Sequence, residues 1–358
     1  MAAGYTGKDL GYHSVEAAVD RTVLSLVRMI ENRYIAKKKP FDLGRKAQYY
    51  TLDVIADLGY GEPFGFVSRD EDRFDYLATT EKTFAMFLSV TIYPWVYDIL
   101  SSRVFKFLLP TEKDRTGFGK LMGIAKEKAA ERFGPDRKIQ GDMLGSFVAH
   151  GLSQEDAESE ILLQLIASSD TTSTAIRAIL LLIITTPRVY APLLSEIAAA
   201  TSSLRDDEVI SNERAQKMTY LQAVIKEGMR WHPPVAGMIS KKVPAAGDEW
   251  KGVTLPPGIE FWGEDAGEFR PERWLGVDAA RLKAMEATLD LTFGSGRLQC
   301  LGKNVAALEL NKVFVELLRR FELSVVDPTN PWSSTCANIF LVKDFWLKAE
   351  KRKVLQGA

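Results

Sequence analysis

The chain has 358 residues, 46% of them hydrophobic, which is enough to fill one large core or two ordinary ones. Its 46 Lys and Arg residues are balanced by 47 Asp and Glu residues, which excludes the strongly basic surface of a nucleic-acid-binding protein. The two cysteines, Cys300 and Cys336, cannot form a disulfide framework, so we expect a reducing compartment.

The N-terminal segment is the first feature in chain order. Residues 1–20 contain no apolar signal segment, and no uninterrupted apolar stretch approaches the roughly 20 residues that a membrane helix requires. The sequence therefore predicts a chain without a membrane anchor, cytoplasmic as it stands.

Two amphipathic helices are predicted next, followed by an aromatic-rich segment. Apolar residues recur at helical spacing over residues 14–34 and again over residues 41–58. In the aromatic-rich segment, residues 84–109, Pro94 interrupts a helix. The preferred interpretation of this segment is core or the roof of a pocket. The alternative is contact of Tyr93, Trp95 and Tyr97 with a membrane interface, where aromatic side chains collect.

The longest predicted helix lies in the middle of the chain. Ser153 and Asp156 resemble a capping box that opens a helix over residues 154–185, about 50 Å long, which Pro187 ends. The later elements are a helix over residues 215–232, a strand pair at residues 239–243 and 250–255, and a helix over residues 302–323. The pattern predicts a single, mainly α domain over residues 1–358 with a small β part.

The segment FGSGRLQCLG, residues 293–302, stands directly before the last helix. Its glycines allow a tight loop that presents the sulfur of Cys300 at a helix N-terminus. The helix dipole, the loop N–H groups and the nearby Arg297 all favour a thiolate there, as a metal ligand requires. The alternative is that Cys300 is a small buried hydrophobic residue, as most lone cysteines are.

Two further patterns are weaker when each is taken alone. Glu227 and Arg230 are spaced i, i+3 on one helix face, and such pairs are common on helix surfaces, where each contributes about 0.2–0.5 kcal/mol. ASSDTTST, residues 167–174, is a polar patch inside an apolar helix. Its hydroxyls can bond back to the preceding turn and open the helix locally for a small ligand and water, or the patch can simply face solvent.

The cysteine loop resembles the haem-binding signature of the cytochrome P450 family, Phe-x-x-Gly-x-Arg-x-Cys-x-Gly. It departs from the signature at Leu298, where a basic residue is usual; the arginine stands one place earlier. The positions that match are Phe293, Gly296, Cys300 and Gly302.

The other patterns match further motifs of the same family, in the family's order. Glu227 and Arg230 match its Glu-x-x-Arg element, whose partner is the arginine of Pro-Glu-Arg, here Arg273 in FRPERW. Residues 167–171 align with the oxygen-activation motif, with Ser168 in place of glycine. Beyond these motifs, the chain from about residue 41 is similar to the fungal pisatin demethylase-like branch.

This resemblance implies a cytochrome P450 fold, mainly α, that binds haem b with Cys300 as the axial ligand of the iron. It makes Asp170 and Thr171 the catalytic residues: Thr171 holds bound dioxygen and its waters, and Asp170 relays protons to it. It assigns a structural network to Glu227, Arg230 and Arg273. It places Phe293, Gly296, Arg297 and Gly302 at the cofactor, and Val235, Ala236, Gly237, Met238, Asn338 and Ile339 in the substrate pocket.

The resemblance also implies a reaction and partners. The reaction is hydroxylation or oxidative dealkylation of a small, mostly apolar substrate by dioxygen, in fungal secondary metabolism or detoxification. Electrons come from NADPH through cytochrome P450 reductase, and full-length members sit in the endoplasmic reticulum membrane. No nucleic-acid partner is expected.

The sequence departs from the family at two places. We expect the chain to lack the family's N-terminal anchor, β-rich region and Trp-x-x-x-Arg helix, and to have an internal gap near residues 258–262. The alternatives are therefore a catalytically inactive haem-binding remnant, an α-helical interaction protein without cofactor, and a haem enzyme that catalyses isomerisation or dehydration.

Overall fold

Helices form most of the described part of the chain, which in the computed structural model comprises residues 15–105, 107, 109–236, 262 and 264–353. A π-helical turn, Ile30–Ile35, extends the first helix. The α-helices in chain order are α1 (Val15–Met29), α2 (Leu43–Tyr60), α3 (Phe66–Arg69), α4 (Tyr76–Ile92), α5 (Pro94–Leu100), α6 (Gly117–Ala130), α7 (Met143–Ala149), α8 (Gln154–Thr185), α9 (Pro187–Thr201), α10 (Asn212–Gln216), α11 (Thr219–Trp231), α12 (Ala279–Asp290) and α13 (Lys303–Arg320).

The described strands are short, and most follow α13. They are β1 (Phe41–Asp42), β2 (Phe321–Val325), β3 (Ser333–Ala337), β4 (Ile339–Lys343) and β5 (Trp346–Lys351). One antiparallel sheet has the order β1-β5-β2, with Val325 opposite Leu347. A separate hairpin pairs β3 with β4 and places Cys336 opposite Phe340. The fold is therefore mainly α with a small β part, as the sequence predicts.

Helix α8 is the centre of the packing. It begins as predicted, because the Ser153 hydroxyl accepts a hydrogen bond from the backbone N–H of Asp156 at 3.1 Å. It packs most extensively against α2, and also against α6, α11 and α13. Residues 172–180 in its C-terminal half are all buried. Among the described residues, α8 is the one helix long and apolar enough to cross a membrane, and 67% of its most apolar window is buried in the fold.

Helix α13 is tied to α1 by a buried lysine. The Lys312 side chain is 0% exposed, and its Nζ lies 2.5 Å from Asp20 Oδ1 and 2.7 Å from Glu16 Oε1. It also donates to the backbone carbonyl of Ile210 at 2.8 Å. A buried ammonium group is tolerated only when such partners replace its hydration, so these contacts fix α13 against α1.

Three helix boundaries differ from the prediction, each because of a contact elsewhere in the fold. Helix α2 begins at Leu43 because residues 41–42 pair with β5. The helix predicted over residues 215–232 is two helices, since the Glu196 carboxylate accepts hydrogen bonds from the first turn of α11. Helix α13 ends at Arg320 because Phe321 enters β2. The predicted strand pair at residues 239–255 lies outside the described residues.

The structure of the aromatic segment around Pro94 differs from the prediction. Tyr93, Trp95 and Tyr97 are 53%, 61% and 55% exposed, so the preferred interpretation of this segment as core is wrong for these three side chains. Pro94 starts the short helix α5, whose chief packing partner among the described elements is α4. A seven-residue helix held mainly along one side leaves its other face to solvent.

Candidate active site

The loop before α13 presents the thiol of Cys300. Gly294 and Gly296 adopt positive φ angles of 75° and 61°, a conformation that strains residues with a Cβ. The backbone N–H of Cys300 donates to the carbonyl of Phe293 at 2.7 Å, which closes the loop. Gly302 is the N-cap of α13, so the free, exposed thiol of Cys300 stands just before the N-terminus of an 18-residue helix. The positive end of the helix dipole favours a negatively charged ligand atom at this point.

The other predicted residues of this loop differ in their surroundings. Phe293 is half-buried and packs against the main hydrophobic core, and the Lys303 ammonium lies 5.7 Å from its ring centroid. Lys303 also pairs with Asp290 at 2.8 Å. Arg297 is exposed. The loop is therefore anchored through its aromatic residue and its following helix, while the thiol and the arginine remain accessible.

The polar segment of α8 bonds back to its own helix. Ser168 Oγ donates to the Gln164 carbonyl at 2.7 Å, and Thr171 Oγ1 donates to the Ala167 carbonyl at 2.9 Å. The helix nevertheless runs unbroken through this described segment, so the local opening that the sequence predicts is wrong here. The hydroxyls share carbonyls with the backbone N–H groups and do not displace them.

One face of α8 is open. Leu163 is 57% exposed, Ala167 is exposed and Thr171 is half-exposed, and their spacing of four residues aligns them on one side of the helix. We call these three residues the open stripe. A central helix that is otherwise largely buried thus offers a small apolar surface with one hydroxyl at its end.

Asp170 lies in the same helix but is buried, and it faces α2. Its carboxylate is buried and accepts a hydrogen bond from Gln48 Nε2 at 2.6 Å. One turn further along α2, Thr51 Oγ1 donates to the Ser169 carbonyl at 2.9 Å. Burial raises the pKa of Asp170 to about 6, although the nearby Arg177 guanidinium acts to lower it. The two predicted catalytic residues, Asp170 and Thr171, therefore bond different partners.

The structure brings Glu227, Arg230 and Arg273 together in one buried cluster. The Glu227 carboxylate is 0% exposed and receives two hydrogen bonds from Arg230, both at 2.9 Å. It also accepts from Arg273 Nε at 3.3 Å, from the Arg270 backbone N–H at 2.9 Å and from Trp274 Nε1 at 2.9 Å. Such a carboxylate has every acceptor position engaged, which is the condition for keeping a charge inside a protein.

Four of the six predicted pocket residues come together at the β3–β4 hairpin. Val235 forms an isolated antiparallel bridge with Ile339, and the Ala236 N–H donates to the Asn338 carbonyl at 3.0 Å. Thr174 Oγ1, on α8, donates to the carbonyl of residue 340 in the same hairpin at 3.0 Å. The segment after α11, the hairpin and the central helix therefore meet. Gly237 and Met238 lie outside the described residues.

Sequence reasoning missed several residues of this region. Trp274 follows Arg273 directly, and the need of a buried indole N–H for an acceptor is a signal that could have placed it in the Glu227 cluster. Gln48 and Arg177 contact each other at 3.2 Å beside Asp170. Arg177 follows Asp170 in the same helix by seven residues, so helical spacing could have placed it on the same face, whereas no sequence signal identifies Gln48.

Comparison with known proteins bears on this site. The family model described as "Cytochrome P450" matches residues 5–353. The chain is 42% identical over 370 residues to "Cytochrome P450 monooxygenase ABA1" of Pyricularia oryzae, covering 98% of this chain and 72% of that protein. It is 35% identical over 366 residues to "Cytochrome P450 monooxygenase aba1" of Botryotinia fuckeliana, covering 97% and 72%.

A similarity to solved structures shows the fold independently. The crystal structure of the cytochrome P450DA heme domain superposes with a TM-score of 0.70 at 18% sequence identity, covering 96% of this chain and 76% of that one. A mutant of the same heme domain gives a TM-score of 0.71 at 20% identity.

Proposed function

This chain belongs to the cytochrome P450 family and is a monooxygenase, and we propose that its substrate is a small, mostly apolar molecule that it hydroxylates or oxidatively dealkylates. We place this reaction in fungal secondary metabolism or detoxification. The observation that carries the proposal is the free, exposed thiol of Cys300 in a glycine-shaped loop at the N-terminus of α13. The apolar character of the open stripe supports an apolar substrate.

The residues present fit the haem iron that the family implies. Among the described residues no group of three or more His, Cys, Asp or Glu side chains could hold a metal ion. A haem iron needs a single thiolate from the protein, which Cys300 could supply. Open space also surrounds Gly296, where an added Cβ would meet no atom within 4 Å. This loop can thus approach a flat group closely.

We assign roles to this chain's own residues on that basis. Cys300 would be the axial ligand of haem b, with Phe293, Gly296, Arg297 and Gly302 around it. When bound, the haem supplies the oxidising chemistry, which electron donation by a thiolate ligand promotes. Electrons would reach it from NADPH through cytochrome P450 reductase.

Proton handling falls to two neighbouring residues of α8. The Thr171 hydroxyl can turn its proton from the Ala167 carbonyl, 2.9 Å away, toward a ligand on the open stripe. Asp170, with a pKa raised to about 6 by burial, can take up and release a proton near neutral pH. Glu227, Arg230 and Arg273 would hold the core that supports the cysteine loop.

The origin of the inserted oxygen tests the proposed reaction. We expect the holoprotein, supplied with NADPH, reductase and isotopically labelled dioxygen, to place one labelled oxygen atom in the hydroxylated product of a small apolar substrate, or in the carbonyl fragment that a dealkylation releases. Mass spectrometry of the product measures this. An unlabelled product that is isomeric with the substrate, or lighter by one water, would indicate isomerisation or dehydration, and no product from a broad panel of apolar molecules would indicate an inactive remnant.

Replacing Thr171 with valine tests the open stripe. Valine keeps the shape of the side chain but removes the hydroxyl that donates to Ala167, so we expect product formed per dioxygen consumed to fall by about tenfold or more, with hydrogen peroxide formed instead. The matched control is Thr185→Val, which removes the same kind of bond, to the Leu181 carbonyl at 2.7 Å, at the far end of α8. Equal ratios of product to peroxide in both variants would contradict the role of Thr171.

A further inference from the structure

A polar cavity of about 170 Å³ lies between α2, α4, α8 and β4. Asp170 does not line it, but its hydrogen-bond partner Gln48 does. Gln48 and Arg177 form part of its wall, together with Asp42, Glu81 and Lys343. Because one water molecule occupies about 30 Å³ of liquid volume and needs two to four polar partners, this space suits several waters. The cavity therefore offers room for solvent beside Gln48 and Arg177.

Gln48 separates this cavity from Asp170 and is held by bonds at both ends. Its Nε2 donates to Asp170 Oδ1 at 2.6 Å, and its Oε1 accepts from Arg177 Nη2 at 3.2 Å. Arg177 is itself fixed, since its Nε donates to the Gly44 carbonyl at 2.9 Å. A carboxylate can only accept and a guanidinium can only donate, so these partners allow one orientation of the Gln48 amide.

Charged and titratable groups face Asp170 from each neighbouring element. Helix α4 contributes Tyr76, whose hydroxyl lies 3.5 Å from Ser169 Oγ, and Glu81, which pairs with Lys343 at 3.1 Å. Helix α8 contributes the buried cation of Arg177. Only the Gln48 amide, from α2, bonds the Asp170 carboxylate at short distance among the described residues.

The cavity wall also carries the Asp42 carboxylate. Burial raises the pKa of Asp42, while the Arg177 guanidinium and the backbone N–H groups of Arg45 and Gly44 act to lower it. The wall therefore carries charge of both signs, which makes this space polar.

We propose that Gln48 is a positioning residue for the reaction: its amide, held by Arg177 in the wall of the polar cavity, fixes the direction of the Asp170 carboxyl and favours its charged form. The inference rests on the proposed function, in which Asp170 supplies protons. Gln48 acts through Asp170 and touches neither substrate nor cofactor.

Gln48→Leu in the full holoprotein tests this, with Thr51→Val as the matched control. Gln48→Leu removes the bonds of Gln48 to Asp170 and Arg177, and Thr51→Val removes the bond to the Ser169 carbonyl in the same turn of α8; only the first change takes a donor from the Asp170 carboxylate. Infrared titration of the resting protein measures the pH at which Asp170 is half protonated. The carboxyl absorption band of Asp170 is identified by its loss in the Asp170→Asn variant. We expect Gln48→Leu to raise this pH by about one pH unit, because the charged form loses its donor, and Thr51→Val to leave it unchanged.

The pH profile of product formed per dioxygen consumed is the second measurement, and it should move in the same direction in Gln48→Leu alone. An unshifted titration, or equal shifts in both variants, would overturn the proposal. A shifted titration with an unmoved pH profile would overturn the link to the reaction, while labelled-oxygen incorporation still decides the monooxygenase activity separately. If Gln48→Leu does not fold, the isosteric Gln48→Glu keeps the acceptor for Arg177 and should raise the half-protonation pH by placing a second carboxyl beside Asp170.

Discussion

Cys300→Ala should abolish the strongly red-shifted Soret band of the reduced, carbon monoxide-bound holoprotein. That band reports a thiolate on the iron, and Cys300 is the free thiol at the N-terminus of α13. Alanine leaves the loop backbone unchanged but provides no ligand atom. We expect the loss of the band to be complete and product formation to be lost with it. Absorption spectra with and without carbon monoxide measure the first effect, and product analysis the second.

Cys336→Ala is the control for this experiment. Cys336 is also free and exposed, but it lies in β3 of the hairpin, away from any helix N-terminus. The spectrum of this variant should be unchanged. If the red-shifted band survives in Cys300→Ala and disappears in Cys336→Ala, the assignment of the ligand is wrong.

Glu227→Gln should have the largest effect on stability. Glutamine can replace only part of the acceptor capacity that Arg230, Arg273, Arg270 N–H and Trp274 now engage, and it leaves the buried Arg230 guanidinium without its counter-charge, while Arg273 retains Asp265. Removing one partner from a buried, hydrogen-bonded charge cluster costs about 3–5 kcal/mol. Because the free energy of unfolding is typically about 5–15 kcal/mol, this is a large share of the total. Urea unfolding followed by circular dichroism measures it.

Glu213→Gln is the matched control for that substitution. Glu213 pairs with Lys217 at 2.6 Å, but both side chains are more than 70% exposed, at 79% and 73%. Such a pair is screened by solvent and salt, so no measurable change is expected. Similar losses of stability in the two variants would show that the Glu227 cluster does not have the structural role assigned to it.

The elements predicted most accurately are those specified by local chemistry. The bounds of α8 are confirmed because a serine cap and a proline stop lie within a few residues of its ends. The break between α10 and α11 could not be foreseen, since Glu196, which caps α11, is more than 20 residues away in sequence. The single-domain organisation remains a prediction.

In the candidate site, too, the residues within motifs could be predicted and their partners distant in sequence could not. Cys300 and the Glu227 cluster carry motifs, and a motif states residue types at fixed spacing. The partners of Asp170 carry none, because Gln48 meets it across 122 residues of sequence through the packing of two helices. The direction in which Asp170 points, away from Thr171, likewise depends on which face of α8 meets α2.

The salt bridge between Lys312 and Asp20 has a consequence for how the protein is made. The two residues are 292 positions apart, so at about 5–20 residues per second a ribosome needs on the order of 15–60 s between them. During that interval α1 has already emerged, while the helix that follows the cysteine loop does not yet exist. Docking of α13, and with it a completed site for the prosthetic group, is therefore a late event in biosynthesis, and cofactor loading must wait for it.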